Sequence, residues 1–411
     1  MKRREFIKYG TCGLAAIAVG GLDLPPIFPR QAHAAAFTVN LSLEAALVEM
    51  IDLTRVPMWL FQAQGQPLPS FPGPVIFATQ GDIITLNVTN NLPEVHAFQI
   101  LGARVQIPTI NPGQTVSVRF MAPAAGTYLY IDPRNAPVNR VLGLHGAFIV
   151  LPKYPAGTRA GGSNRTPYTF PTPNVKRLFH DLGDTPQFPG DPWFAVRPNN
   201  VPPNPNLDPL FERFFFRSRI WLFHQIDPIF NARVVAGIPV DPKNYLPRYF
   251  STNGKTGAFS AHDPNIAPEG NIGEPHLIRL LNAGLQTQSP HIHANHVYVT
   301  AVNRVVQNNV VHVDTFTIGP QDTVDWLLPF VRPPDIPDNP AIPGPKPTPL
   351  RTLLHDELAT ILITPQSPLE WPMHGHTEID QTAAGGNYPQ GMITHFIITG
   401  DLDKVPFPNQ M

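Results

Sequence analysis

Proline limits what this chain can become more than any other residue does. Of its 411 residues, 51 are proline and 30 are glycine. Proline fixes φ, lacks an N–H and breaks a helix interior, so long uninterrupted helices have little room. Proline makes up about 12 % of the chain against a usual ~5 %, and proline plus glycine about 20 %, short of the ~25–30 % that marks low-complexity disorder. The chain reads as ordered but cut into short elements by many turns. That argues against helix bundles, coiled coils and parallel α/β sheets, and for an all-β fold of sandwiches or barrels. Its length allows two or three domains.

Lys plus Arg number 29 and Asp plus Glu 30, a net charge of −1, so no basic field exists to hold nucleic acid or an anionic membrane surface. The N-terminus has the form of an address. Lys2-Arg3-Arg4-Glu5-Phe6-Ile7-Lys8 precedes a small, apolar run from Gly13 to Leu24, and Ala32-His33-Ala34 has the small-x-small form of a cleavage site. The Arg3-Arg4 pair predicts a twin-arginine signal over residues 1–34, hence export to a periplasmic or extracellular location. No other run reaches the ~18 apolar residues of a membrane helix. The only cysteine, Cys12, lies inside that signal. The mature chain therefore offers no disulfide, thiolate nucleophile, zinc–thiolate site or iron–sulfur cluster.

Strand patterns fill two stretches. Residues 37–152 contain Asp82 to Val88, the clean alternation Thr115 to Phe120, Gly126 to Tyr130 and Ala147 to Val150; Ser42 to Ile51 is the best helix candidate there. Residues 153–210 read as a Pro/Gly/Asn-rich linker draped over the surface. Strands resume over 211–405, at Arg219 to Phe223, His276 to Leu281, Val297 to Val302, Thr323 to Leu327, Ala359 to Ile363 and Ile393 to Ile398, with a Pro-rich excursion at 331–350. Phe211 to Phe223, rich in Phe, reads as core strand, and Gly254-Lys255-Thr256 lacks the earlier glycine of a phosphate loop, Tyr249 standing in its place. The shared rhythm of the two stretches predicts two related sandwich domains.

Two histidine clusters carry the candidate chemistry: His291-Ile292-His293, with His296 nearby, and His374-Gly375-His376. Residues i and i+2 of a strand face the same way, so each His-x-His pair presents two imidazoles to one place. Imidazole without thiolate suits copper, zinc, iron or nickel. Hydrogen-bonded structural histidines are the competing reading.

The order of motifs resembles that of the multicopper oxidases, and within them the two-domain forms related to copper nitrite reductase. Ser70 to Pro74 with Gln80-Gly81-Asp82 looks like the family's opening strand pair, and Gly126-Thr127-Tyr128 with Gly143 to Val150 looks like its next two strands. Tyr249 to Gly254, Arg279 to Gly284, Ser289 to His293 and Trp371 to His376 resemble four later motifs in the same order. The resemblance implies two cupredoxin-like Greek-key β-sandwich domains joined by long Pro-rich connections. It also shows what is missing. At the positions of the family's blue copper ligands stand Gly375, Gln288 and Asp380, and the mature chain has no cysteine. The resemblance therefore implies neither the usual four-electron reduction of oxygen nor the usual nitrite reduction. Of the trinuclear cluster's four histidine pairs, His291/His293 and His374/His376 are intact, His96 is left of a third, and Ile131-Asp132-Pro133 replaces the fourth.

The expectation is a single copper held by His291, His293, His374 and His376 with His96, zinc being the alternative metal, in a chain acting on an unknown small molecule. Two-domain relatives often build such sites between subunits of a trimer, so the resemblance leaves two origins for His96, the same chain or a neighbour in a homotrimer. If active, the chain is a copper-dependent oxidoreductase. A non-catalytic envelope scaffold that has lost its metals, like a cell-division branch of the family, is the alternative; a histidine–zinc hydrolase is a third reading. His145 and His296 read as packed or turned elsewhere, and Glu378 and Asp380 as a solvated turn.

Overall fold

A computed structural model describes residues 36–64, 70–152, 166–183, 218–271, 273–330 and 369–399. The signal at 1–34, residues 211–217, the excursion at 331–350 and the strand expected at Ala359 to Ile363 lie outside them. The strands of the first half are β1 (Ala36–Glu49), β2 (Arg55–Ala63), β3 (Gly73–Thr79), β4 (Ile83–Asn90), β5 (His96–Ile100), β6 (Val105–Ile110), β7 (Thr115–Met121), β8 (Gly126–Ile131) and β9 (His145–Leu151), with a short helix α1 (Val138–Val141) before the last. Helix α2 (Pro173–Gly183) follows. The second half runs β10 (Ser218–Ile226), α3 (Pro228–Val235), β11 (Tyr249–Thr252), α4 (Ala258–Ala261), β12 (Glu269–Gly270), β13 (His276–Asn282), β14 (Pro290–Ile292), β15 (Val297–Val302), β16 (Val305–Val313), β17 (Thr323–Leu328), β18 (Leu369–Gly375) and β19 (Ile393–Ile398).

These strands form four sheets. The order β2-β1-β4-β7 faces β3-β9-β8-β5-β6 in the first half, and β11-β10-β13-β17-β15-β16 faces β12-β19-β18-β14 in the second. Each facing pair encloses an apolar layer. Val39, Leu41, Leu86, Phe98 and Phe148 fill the first, and Trp221, Leu280, Trp326, Met373 and Phe396 fill the second. A third layer joins the halves: Phe77, Leu129 and Ile149 of the five-stranded sheet pack on Leu222, Leu277 and Leu327 of the six-stranded one. The described residues thus stack as sheet, core, sheet, core, sheet, core, sheet, an all-β architecture of two joined sandwiches.

The middle layer carries buried polar bridges. Thr127 Oγ1 donates to Asp325 Oδ1 at 2.6 Å, and Arg279 Nη1 donates to Thr127 Oγ1 at 2.8 Å while lying 3.6 Å from Asp325 Oδ2. Arg140 donates to the carbonyls of Ala283 and Gly284 at 2.5 and 2.6 Å, and burial lowers its pKa to about 10. His145 and His224 pack beside it with ring centres 4.6 Å apart and planes tilted by 40°.

Two expectations are corrected. Ser42 to Ile51 is not a helix: most of it belongs to β1, whose Val39, Leu41 and Leu43 point into the core. β1 pairs antiparallel with β2 and parallel with β4, and this double hydrogen bonding overrides the local helix preference of Leu, Glu and Ala. Part of the 153–210 linker is packed rather than draped. Tyr168, Val175 and Phe179 enter the middle apolar layer, Thr172 Oγ1 donates to Gln307 O, and Asn174 Nδ2 donates to Asn308 O. The Asn253-Gly254 dipeptide, with φ of 52° and 76°, closes a tight hairpin between Thr252 and Lys255. Lys255 pairs with Asp263 at 2.7 Å and so serves the fold, not a phosphate.

Candidate metal centre

Alternation along β18 sends Met373 and Gly375 inward and leaves His374 half-buried on the outer face, with His376 exposed just beyond. On β14, Pro290 and Ile292 are buried and His291 points out. The two strands pair antiparallel with His291 directly opposite His374. Main-chain bonds pin the strand ends: His293 N donates to Pro372 O at 3.2 Å, and His376 N to Ser289 O at 2.8 Å. Ala294, at φ 58°, then turns the chain away. Four imidazoles therefore gather on one patch of sheet. His291 has ring-centre separations of 4.8, 5.3 and 5.0 Å from His293, His374 and His376.

Hydrogen bonds set which ring nitrogens are bare. His291 Nδ1 lies 3.0 Å from Asp314 O and 2.7 Å from Thr315 Oγ1; His374 Nδ1 lies 2.9 Å from Gly375 O. A carbonyl oxygen only accepts, so in both rings Nδ1 carries the hydrogen and Nε2 keeps its lone pair. His293 Nε2 approaches His374 Nε2 to 3.0 Å. The donor atoms of His291, His293 and His374 all lie within 4.8 Å of one another. Burial and the neighbouring rings lower the pKa of His291 and His293, which favours the neutral, ligating form. Carbonyl-oriented imidazoles with free Nε2 atoms are the donor set that copper or zinc takes, with metal–nitrogen bonds of ~2.0–2.1 Å. His376 sits at the rim.

His96 does not join this group. It stands on β5, in the five-stranded sheet of the first half, and is fully buried. Its Nδ1 donates to Asp132 Oδ2 at 2.7 Å, and Trp59 packs edge-on at 5.3 Å. Asp132 also accepts from Asn139 Nδ2 at 2.8 Å, Arg134 N at 2.8 Å and Ala97 N at 3.2 Å. Sequence reading counted Asp132 only as a lost histidine and passed over Asn139. The signal was the carboxylate itself, which needs a partner at the inner end of an apolar strand.

The positions matched to the blue copper ligands converge as well. Gln288 is buried with neither amide atom hydrogen-bonded, and Asp380 is 1 % exposed with Thr377 beside its carboxylate. Asp380 therefore does not lie in a solvated turn, unlike the exposed Glu378; burial raises its pKa to about 7. A Cβ on Gly375 would lie 2.7 Å from Asp380 Cβ, so a side chain there needs Asp380 to move. Beside Gly375, Gln288 and Met392 line a cavity of about 10 Å³, room for about one water molecule.

His145 is packed, fully buried against His224 and Phe71. His296 turns toward His312, with ring centres 5.1 Å apart, and Tyr298 stacks on His312 at 4.3 Å.

Residues 68–155 match the family model described as multicopper oxidase. An L-ascorbate oxidase of Cucumis sativus is 37 % identical over 95 residues, covering 20 % of this chain and 16 % of that protein. A copper-containing nitrite reductase of Pseudomonas chlororaphis is 34 % identical over 93 residues, 20 % of this chain and 26 % of its own length. The cell division protein FtsP of Actinobacillus succinogenes is 36 % identical over 81 residues, 20 % of this chain and 16 % of its own. The matched stretches thus span about a quarter or less of these relatives. The solved Blue Copper Oxidase from Nitrosomonas europaea superposes with a TM-score of 0.57 at 17 % identity, over 91 % of this chain and 92 % of that one, a likeness of fold. No helix among the described residues is long and apolar enough to cross a membrane.

Proposed function

From the premise that this chain belongs, through residues 68–155, to the multicopper oxidase family and shares its cupredoxin-like fold, we propose that it is an exported protein holding one copper ion at His291, His293 and His374, with His376 at the rim. The observation that carries the reading is the pair of carbonyl-fixed tautomers that leave Nε2 of His291 and His374 bare beside His293. Copper in such a site supplies a redox-active Lewis acid with an open position for a small molecule. The chain's own part is to hold the rings in orientation through the Asp314 and Gly375 carbonyls, and to keep the patch open to solvent at His293 and His376. His96 lies apart from this patch, enclosed in its own chain with Nδ1 on Asp132 and Nε2 without a hydrogen-bond partner, so the proposed centre is built without it.

A metal-free scaffold is the second reading, favoured by the likeness to FtsP and by the absence of cysteine after Cys12. Elemental mass spectrometry with electron paramagnetic resonance separates the two on protein folded with copper available. About one non-blue copper per chain, lost in His291→Ala and His374→Ala, is the expected result. No copper, with both variants folded, would establish the scaffold; zinc retained in its place would revive the hydrolase.

A further inference from the structure

On the inner side of the last sheet, behind the histidine patch, two buried polar side chains lack partners among the described residues. Gly375 pairs with Pro290 of β14, and its N–H donates to Met392 O at 3.1 Å. Gln288, two residues before Pro290, is fully buried, and neither Nε2 nor Oε1 is hydrogen-bonded. On β19, Thr394 lies opposite Met373 and is buried, and its Oγ1 has no partner either. Both side chains line the cavity of about 10 Å³ beside Gly375, with Trp221, Met373 and Met392 among its other walls. The bare Cα of Gly375 leaves this space: a Cβ there would stand 3.3 Å from Met392 Cε.

A buried amide and a buried hydroxyl without partners are costly to the fold. The other polar groups at these walls are engaged or turned away. Trp221 Nε1 donates to Ile266 O at 2.9 Å, and the ring of His374 turns to the outer face toward His293. We propose that the cavity binds one ordered water shared by the Gln288 amide and the Thr394 hydroxyl, at the place matched to the family's blue copper. A cavity of about 10 Å³ is at the lower bound of the ~10–15 Å³ that one water needs, and too small for a larger ligand. Gln288 offers one acceptor and two donors, Thr394 a group that does either, and water supplies both roles. A cation is poorly served here, because the two leftover groups are neutral and include no imidazole, thiolate or carboxylate. The bridge ties the approach to β14 to β19 beneath the strands that carry His291 and His374. It does not depend on whether the outer face binds copper.

Two measurements on the full chain test this, and neither reads a metal. A high-resolution crystal structure should show one density peak within hydrogen-bond distance of both the Gln288 amide and Thr394 Oγ1. No peak there, or a peak that reaches neither side chain, would overturn the water. The second measurement is a double-mutant cycle of urea midpoints with Gln288→Met and Thr394→Val. A shared water predicts that each single variant lowers the midpoint, because the water and the remaining side chain each lose a partner. The double variant should then fall by less than the sum of the two. Two dry, orphaned groups predict the opposite: each apolar replacement raises the midpoint, and the rises add. That outcome would refute the proposal. If Gln288→Met does not fold, the density and the sign of the Thr394→Val shift still decide.

Discussion

His96 and His374 sit under opposite regimes in the two halves of the molecule. His96 is fully enclosed, and its Nδ1 is tied to a carboxylate that accepts three further hydrogen bonds. His374 is half-buried, its Nδ1 is tied to the main chain, and its Nε2 faces other imidazoles. A buried histidine–carboxylate pair need not stabilise a fold by itself, but removing one partner leaves a costly uncompensated group. A carbonyl-oriented, solvent-facing imidazole adds little to stability and is set up to bind. Residue type alone does not distinguish them, nor does the partner of Nδ1; enclosure does, since Nε2 of His96 is buried while Nε2 of His374 faces the other rings.

The sharpest break of this comparison is His96→Ala. It should cost about 3–5 kcal/mol of unfolding free energy, because Asp132 loses a buried partner, and leave copper stoichiometry unchanged. Denaturant unfolding alongside metal analysis reads both, and loss of copper in a folded variant would place His96 in the centre after all. His374→Ala should behave the other way. Copper at a hundredfold excess over its dissociation constant should stabilise the unaltered chain by about 2.7 kcal/mol, and the variant not at all. A melting scan with and without copper decides, and an equal rise in both would move the ion elsewhere.

The third prediction concerns pH. Burial lowers the pKa of His145, and that of His224 to about 3, so below about pH 6.5 the unfolded chain binds more protons than the folded one at these sites. Stability from this pair is present above that pH and falls on acidification. Asp380 acts oppositely: with a pKa of about 7 it keeps its proton in the fold where an unfolded carboxyl has lost it, so its contribution falls as pH rises toward 7. Asp380→Asn removes the opposing group. The loss of stability from pH 6.5 to 4.5 should then steepen by up to about 1.4 kcal/mol per pH unit. Urea midpoints across that range would show it, and unchanged slopes would mean that Asp380 titrates as an ordinary carboxyl. The fourth prediction concerns the join between the halves. Thr127→Val takes a hydrogen-bond partner from both Asp325 and Arg279 and should cost about 1–3 kcal/mol. A drop within error would mean that Asp325 and Arg279 close on each other directly.

Most strands were legible because period-two alternation survives in the sequence: Val297–Val302 and Ile393–Ile398 fall where the pattern places them. Ser42 to Ile51 misled because its pairing with β2 and β4 comes from distant residues. The packed stretch Tyr168 to Phe179 was hidden by the composition around it. Each His-x-His pair was legible from spacing and strand parity, but the meeting of the two pairs was implied only by the family resemblance, because it rests on the pairing of β14 with β18. The enclosure of His96 was not, because it depends on Asp132 and Asn139, 36 and 7 residues away from one partner or the other along the chain.

The pairing of His291 with His374 has an implication for assembly. The same strand that shows histidines to solvent buries Met373 on its other side. A slip of one residue between β14 and β18 would exchange the two faces, swallowing the imidazoles and exposing the core. For the proposed copper centre this makes metal retention a readout of assembly: only molecules whose strands have locked in the correct alignment would present the three imidazoles together, so a metal count would report the fidelity of folding as well as the chemistry of the patch.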